Sequence, residues 1–214
     1  RYVTVNGDDP LPDMYIGRFP AETTAHVQAM VEKTIAYETN PAPREWIEHV
    51  LFVADDRPYY DDDYYYHLSD DLISNYLPQP YDPIRAYYMS TCFSGDSCTQ
   101  AILDTLNSTG ALFVNYIGHG GVENWAATVY TDPKNAVWHV SDLASLESTT
   151  HWPVMLPMTC DEGSFHEARL DVLAEETVRF AADRGAVASW SPTGEGYPDG
   201  HHDLNTGFLQ AALH

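Results

Sequence analysis

The stretch VMLPMTCDEG, residues 154–163, decides the fold of this chain. It is a short apolar run that leads into a cysteine, two acids and a glycine. The stretch LFVNYIGHGG, residues 112–121, has the same plan and ends in a histidine among glycines. Apolar runs of this length are typical of buried strands in a parallel sheet, and such sheets present reactive side chains at the carboxyl ends of their strands. We therefore expect two buried parallel strands that present Cys160 and His119.

Further strands and helices alternate along the chain. The predicted strands are residues 14–19, 50–54, 84–89, 111–117 and 186–190, besides the one that leads to Cys160. The predicted helices are residues 22–37, 69–77 with Ser69 as N-cap, a helix capped by Asp96 or Ser97 and ended by Gly110, 141–146, 167–183, and one that begins near Leu204. This alternation predicts an α/β fold, with a mostly parallel sheet and helices on both faces.

Within the first predicted helix, the apolar side chains follow a helical period. Val27, Val31 and Ile35 stand at i, i+4 and i+8, so we expect them to form its buried stripe. The longer helix, 167–183, is predicted to turn an apolar face with Leu170 and Leu173 toward the sheet.

Size and charge restrict the function. The 214 residues are 44% hydrophobic, which is enough for one sizeable α/β domain. Thirty-two acids oppose 10 Lys and Arg and leave a net charge of −22. We expect no nucleic-acid partner and no anionic membrane surface, because both require a basic footprint. No apolar run is long enough to span a membrane. An acidic surface suits cationic substrates, calcium, or simply solubility.

The three cysteines divide into a close pair and a single residue. Cys92 and Cys98 bracket the loop CFSGDSC, residues 92–98. A local disulfide there is geometrically feasible and would indicate an oxidising compartment; two reduced, half-buried thiols are the alternative, and the sequence leaves both open. In either case Cys160 remains a single thiol, as a free nucleophile must be.

A thiol and an imidazole presented at strand ends are the parts of a Cys–His nucleophilic site. Glycines on both sides of His119 permit a sharp turn and the close approach of a substrate chain. They also leave the amide of Gly120 able to point at a developing oxyanion. Because Cys160 is followed by two acids and a glycine, we expect this segment to be exposed.

Two acidic stretches lie at the carboxyl side of the strand 50–54. Asp55 and Asp56 follow that strand directly, at the position where α/β active sites are built, although a solvated turn would have the same composition. The segment PYYDDDYYY, residues 58–66, is predicted to be a loop. Its carboxylates suit a structural calcium ion, a substrate rim that attracts a basic side chain, or an exposed flexible loop.

Three motifs resemble the gingipain family of cysteine peptidases, which are relatives of the caspases. YIGHGGVENW, residues 116–125, is similar to that family's histidine motif, and MTCDEGSF, residues 158–165, to its cysteine motif. The opening YIGRFPAE, residues 15–22, continuing into VEKTIAYE, residues 31–38, resembles the start of its catalytic subdomain. The order and spacing agree along essentially the whole chain.

The resemblance implies a caspase-like fold and a cysteine endopeptidase without a catalytic cofactor. Cys160 would be the nucleophile, His119 its acid–base partner, and the amides of Gly120 and Cys160 the oxyanion hole. The family's third acidic residue matches Asp56, which would orient His119. The first specificity pocket would use Ile117 and Met158 as walls, an acid from residues 61–63, for which Asp63 is our choice, and Tyr197 as an aromatic. Such a pocket would select Arg or Lys.

The resemblance also implies an organisation and a location. We expect residues 1–214 to be a single catalytic domain, and a fragment that lacks the family's preceding subdomain and its closing segment. Protein or peptide substrates, and possible segments of its own precursor, are the expected partners, at a secreted or cell-surface location. Three rivals stay open: a metal hydrolase that uses residues 201–203 with His119 or His166, a sortase-type transpeptidase, and a non-catalytic peptidase-like binding module.

Overall fold

Short apolar segments form the strands of the sheet. The computed structural model describes residues 3–9, 13–39, 44–55, 64–126 and 136–214. The strands are β1 (His49–Ala54), β2 (Asp82–Tyr87), β3 (Phe113–Ile117), β4 (Asn124–Trp125), β5 (Trp138–His139), β6 (Val154–Met158) and β7 (Ala188–Ser189). Five of them form a sheet in the order β2-β1-β3-β6-β7, and every neighbouring pair is parallel. β4 and β5 form a small antiparallel pair.

Helices cover both faces of the sheet, as predicted. They are α1 (Thr24–Thr39), α2 (Tyr64–Tyr76), α3 (Gly95–Asp104), α4 (Leu173–Arg179) and α5 (Pro198–Leu213). Alternate residues of a strand point to opposite faces. In β1, Leu51 and Val53 therefore enter one core together with α3 and α4, while Val50 and Phe52 enter the other with α2 and α5. Short 3₁₀ turns, Arg44–Glu48 and Val140–Ser145, and a π turn, Thr105–Thr109, complete the described elements.

The start of α3 is held by Ser94, not by Asp96 or Ser97. The Ser94 side chain accepts a hydrogen bond from the Ser97 amide, and the Ser97 side chain in turn accepts one from the Ser94 amide. This reciprocal pair is a capping box. Cys92 and Cys98 form a disulfide across this turn, with their Cα atoms 5.2 Å apart. The sequence did not decide whether this disulfide forms, and the structure shows that it does.

The predicted buried stripe of α1 is wrong. Val27, Val31 and Ile35 are 42%, 37% and 56% exposed, whereas Met30 and Lys33 are buried. The Lys33 Nζ atom donates hydrogen bonds to the carbonyl oxygens of Val178, Arg184 and Ala186 at 2.6–3.1 Å. Three backbone acceptors satisfy the ammonium group, so a lysine occupies the inner face of the helix and the valines turn outward.

Two further helices begin earlier than predicted. α2 begins at Tyr64, so Ser69 lies buried inside it and is not its cap, and the loop expected over residues 58–66 ends earlier. The reason is aromatic packing: Tyr66 stacks on Tyr87 with ring centroids 5.7 Å apart. α5 begins at Pro198, well before Leu204, and proline is favoured in a first helical turn.

The segments around α4 also differ from prediction. Residues 167–172 are turns, because the amide of Leu173 donates to the carbonyl of Val122 at 2.8 Å instead of continuing a helix. Residues 14–19 are not a strand. Arg18 instead forms an ion pair with Glu175 of α4 at 2.6 Å. In the part of the chain that the structure describes, no helix has the length and apolarity needed to cross a membrane.

Candidate active site

The register of the sheet brings His119 and Cys160 to one edge. Ile117 of β3 pairs with Met158 of β6, and both strands end at that pair. His119 and Cys160 each follow two residues later. Neighbouring strands lie roughly 4.8 Å apart, so the topology places residues 119 and 160 near each other at the carboxyl edge of the sheet.

The loop that carries His119 is fitted tightly against its surroundings. A Cβ atom on Gly118 would overlap the side chains of Asp55 and Tyr116, and one on Gly120 would overlap the Thr159 hydroxyl. These glycines therefore admit neighbouring side chains of the protein itself, which the sequence reasoning had not foreseen when it assigned them to the approach of a substrate.

Polar contacts fix both the backbone and the ring of His119. Its amide donates to Oδ2 of the buried Asp55 at 3.2 Å, and its carbonyl accepts from the hydroxyl of Tyr116. The hydroxyl of Tyr65 lies 3.3 Å from His119 Nε2, and the two rings meet edge to face with centroids 5.5 Å apart. Sequence reasoning missed Tyr65, because it placed this residue in a loop.

The hydroxyl of Tyr116 lies at the centre of these groups. Burial raises its pKa well above the usual value, and the nearby charges of Asp55, Tyr65 and Cys160 raise it further. Tyr116 therefore remains a neutral hydrogen-bond donor at physiological pH.

The backbone after His119 leaves the amide of Gly120 outside the local hairpin. Gly120 forms an antiparallel bridge with Trp125. In that bridge, the amide of Gly121 donates to the carbonyl oxygen of Asn124 at 2.9 Å. The amide of Ala126 donates to the carbonyl oxygen of His119 at 2.7 Å. This arrangement is compatible with an oxyanion donor at Gly120, which stays a prediction.

The Cys160 loop is held by the segment between β7 and α5. Cys160 Sγ lies 3.8 Å from the carbonyl oxygen of Gly196. The amides of Asp161 and Gly163 donate to the carbonyls of Gly194 and Pro192 at 3.2 and 2.8 Å. Asp161 adopts a left-handed φ of 56°, which turns the chain sharply after the cysteine, as active-site turns often do.

One acid of the cysteine motif is buried, contrary to the expectation of an exposed segment. Glu162 is 1% exposed, and its Oε1 accepts a hydrogen bond from Trp125 Nε1 at 3.3 Å. Burial raises the pKa of Glu162 to about 7, although the hydrogen bond from Trp125 and the nearby Ser191 hydroxyl act in the opposite direction. The sequence around Glu162, with an acid before it and a glycine after it, gives no signal for burial.

The other predicted site residues lie in the core, on the surface, or outside the described residues. Ile117 and Met158 are buried in the core beside α2 and α5. Tyr197 is 85% exposed and precedes α5, next to Gly196. Asp56 and Asp63 lie outside the described residues, as do the acids proposed for calcium, so the roles given to them stay predictions.

The histidines proposed for a metal hydrolase point to different partners. His202 Nε2 lies 2.9 Å from Asp71 Oδ2, whereas His201 is buried beneath Gly196. Among the residues that the structure describes, no three histidines, cysteines or acids are grouped to hold a metal ion. This arrangement does not assemble the ligand set that the metal-hydrolase alternative requires.

Among known protein families, the model for peptidase family C25 matches residues 1–214 of this chain. The chain belongs to peptidase family C25. Gingipain R2 of Porphyromonas gingivalis is 26% identical to this C25 chain over 167 residues, covering 77% of this chain and 21% of gingipain R2. Gingipain R1 of the same organism is 26% identical over 167 residues, covering 77% of this chain and 16% of gingipain R1. The predicted membership of the gingipain family is confirmed.

Two solved structures share the fold of this C25 chain. The Arg-specific cysteine proteinase gingipain R has a TM-score of 0.76 and 23% identity, covering 98% of this chain and 48% of that chain. The complex of the pro- and mature domains of Porphyromonas gingivalis RgpB has a TM-score of 0.75 and 23% identity, covering 97% and 48%. The expected caspase-like α/β fold is confirmed. This chain spans about half the length of those solved chains, and 21% and 16% of the curated relatives named above.

Proposed function

We propose that the protein carrying this chain is a cysteine endopeptidase, with Cys160 as nucleophile and His119 as acid–base partner. The observation that carries the proposal is the register of β3 and β6, which sets the imidazole and the only free thiol at the same sheet edge. Membership of peptidase family C25 supports the same chemistry.

The proposed reaction follows from these positions. The Cys160 thiolate attacks the carbonyl carbon of a peptide bond, and the oxygen takes the negative charge near the amides of Gly120 and Cys160. His119 gives a proton to the leaving amine, and an acyl-enzyme remains on the sulfur. His119 then removes a proton from water, which attacks the thioester, releases the acid and restores the thiolate.

We propose Arg or Lys as the side chain selected before the cleaved bond. The relative of known structure is named as Arg-specific, and the chain's net charge of −22 favours cationic substrates. In this proposal a carboxylate, assigned to Asp63, pairs with the guanidinium. Ile117 and Met158 back the pocket, and Tyr197 covers it. Asp56 would orient His119.

The proposed setting is outside the cell or on its surface. The Cys92–Cys98 disulfide supports an oxidising compartment. A solved relative is a complex of pro- and mature domains, and we propose by analogy that segments of this protein's own precursor occupy the same cleft as peptide substrates. A structural calcium ion at residues 61–63 belongs to this proposal.

A peptide library tests activity and specificity together. The full-length protein is incubated with the library, and the products are identified by mass spectrometry. We expect cleavage after Arg or Lys, no turnover by Cys160→Ala, and an unchanged circular dichroism spectrum for that variant. Products joined to an added amine would show transfer in place of hydrolysis. Turnover by Cys160→Ala at the wild-type rate would exclude the mechanism.

A further inference from the structure

The proposed reaction leaves one buried acid without a role. Glu162 stands two residues after Cys160 and is almost completely enclosed. Its Oε1 accepts the indole N–H of Trp125, which belongs to the hairpin that follows His119. Its backbone carbonyl accepts from the amide of Ala174 in α4 at 3.3 Å. This residue therefore joins the cysteine loop to the histidine loop and to α4.

The indole continues the connection as far as the catalytic histidine. The rings of Trp125 and Tyr116 are stacked, with centroids 4.5 Å apart and planes inclined by 2°. The hydroxyl of Tyr116 donates to the carbonyl of His119. An unbroken series of buried contacts thus runs from the carboxyl of Glu162 to the backbone of His119.

We propose that Glu162 is a positioning residue for the Cys160–His119 pair, and that its carboxyl fixes the cysteine loop against the histidine loop through Trp125. The proposal rests on the proposed peptidase function. Glu162 touches no substrate in it; the residue acts through the geometry of the two loops. Its loss should therefore lower kcat and leave KM almost unchanged.

The surroundings favour the neutral form of this carboxyl. Burial raises the pKa of Glu162 to about 7, with the hydrogen bond from Trp125 and the nearby Ser191 hydroxyl opposing the shift. The charged and titratable groups on the elements packed against it are Cys160 and Asp161 on its own loop, Tyr116 behind the indole, and Glu175, Glu176 and Arg179 on α4. Arg179 is already paired with Glu22, Glu175 and Glu176, and each of the other groups can only carry negative charge when it ionises. None of them therefore compensates an ionised Glu162, so its deprotonation should loosen the loop.

The test compares Glu162→Gln, Glu162→Leu and Trp125→Phe with the control Glu167→Gln. Glu167 lies on the same segment but is about half exposed, so its variant should behave as wild type. Peptide cleavage is measured from pH 5 to pH 9, with kcat and KM separated. The rate of Cys160 alkylation by iodoacetamide is measured without substrate, because Cys160 is the only thiol outside the disulfide.

We expect Glu162→Gln, which mimics the neutral acid, to keep kcat within twofold of wild type below pH 6. Above pH 8 it should exceed wild type at least threefold, since wild-type Glu162 is ionised there. Glu162→Leu should lower kcat at least tenfold with KM within threefold. Adding Trp125→Phe to Glu162→Leu should lower kcat little further, because both changes break the same hydrogen bond between Trp125 and Glu162.

Parallel pH profiles for wild type and Glu162→Gln in both assays would overturn the proposal, as would wild-type kcat in a folded Glu162→Leu. If Glu162→Leu fails to fold, the pH profiles of the isosteric Glu162→Gln still test the positioning role of Glu162. If no peptide is cleaved, the peptidase function fails. The alkylation profile then still tests Glu162, since its dependence on pH should differ between wild type and Glu162→Gln.

Discussion

The loops after β3 and β6 occupy equivalent places at the carboxyl edge of the sheet, but of the two only the β6 loop carries a buried ionisable side chain. The β3 loop, residues 118–121, carries His119 and is wedged between solid neighbours. At position 118 the side chain of Asp55 leaves no room for a Cβ atom, and at position 120 the side chain of Thr159 leaves none. This tight fit acts together with the hydrogen bonds that Asp55 and Tyr116 form with the backbone of His119, and both fix the position of the histidine.

The β6 loop, residues 160–163, is held by backbone hydrogen bonds and, in addition, by the buried carboxyl of Glu162. Its amides bind the carbonyls of Gly194 and Pro192, and the carboxyl of Glu162 binds the indole of Trp125. The contrast indicates that the histidine loop should respond to changes in volume and very little to pH. The cysteine loop should respond to changes in protonation.

The largest expected effect tests the steric side of this contrast. Gly118→Ala places a methyl group against the side chains of Asp55 and Tyr116, so we expect the free energy of unfolding to fall by about 3 kcal/mol or more. Urea denaturation measures it. Gly121→Ala is the matched control, because its added Cβ would meet only Asn124 Oδ1 at 3.7 Å. Equal stability of the two variants would show that the loop is not wedged.

The next effect tests protonation in the cysteine loop. The pKa of Glu162 is about 7 in the folded protein, against 4.5 for an unperturbed Glu. A raised folded pKa stabilises the protein fully below about pH 4.5, and this contribution is lost as the pH rises through 7. The loss amounts to about 3 kcal/mol. We therefore expect the unfolding free energy of wild type, relative to Glu162→Gln, to fall by that amount between pH 4.5 and pH 8.

Urea denaturation of both proteins across this pH range gives the comparison, and the difference between them cancels the titration of the other acids. A difference that does not change with pH would mean that Glu162 ionises normally in the fold. It would leave the hydrogen bond to Trp125 as the only anchor that this side chain supplies.

The same contrast explains how much the sequence could predict. Periodicity and glycine placement gave the strands that lead to His119 and Cys160, and an alternating order of strands and helices is sufficient for the α/β class. These signals are local, because each depends on a few consecutive residues. The choice of Cys160 as the free thiol likewise needed only the count and spacing of three cysteines.

The failures concern polar groups that are satisfied by distant parts of the chain. Lys33 is buried because three carbonyls from residues 178–186 meet its ammonium group, and no pattern within α1 announces them. Glu162 is buried because Trp125 donates to it. The helix predicted over 167–183 starts late because Leu173 binds Val122. In each case a long-range hydrogen bond overrides a local preference.

A smaller effect is expected at Gly120, where the obstructing atom belongs to a side chain. Gly120→Ala should clash with the Thr159 hydroxyl and lower the unfolding free energy by about 2 kcal/mol. Thr159→Ala removes that hydroxyl, which is buried and has no hydrogen-bond partner among the described residues. The double variant should therefore regain at least half of the lost stability in urea denaturation. If Thr159→Ala gives no rescue, the strain must arise from the Asn124 carbonyl, 3.0 Å from the added Cβ.

The smallest effect concerns the ring of His119 and not its backbone. Tyr65→Phe removes the hydroxyl that lies 3.3 Å from Nε2 and keeps the edge-to-face ring contact. One neutral hydrogen bond contributes about 1 kcal/mol, so kcat for peptide cleavage should fall by about tenfold or less. Tyr76→Phe, farther along α2, is the control and should not change kcat. The effect stays small because Asp55 and Tyr116 already hold the backbone of His119. A rise in KM at constant kcat would instead mean that the Tyr65 hydroxyl contacts the substrate, and that the fit of the histidine loop alone orients the imidazole.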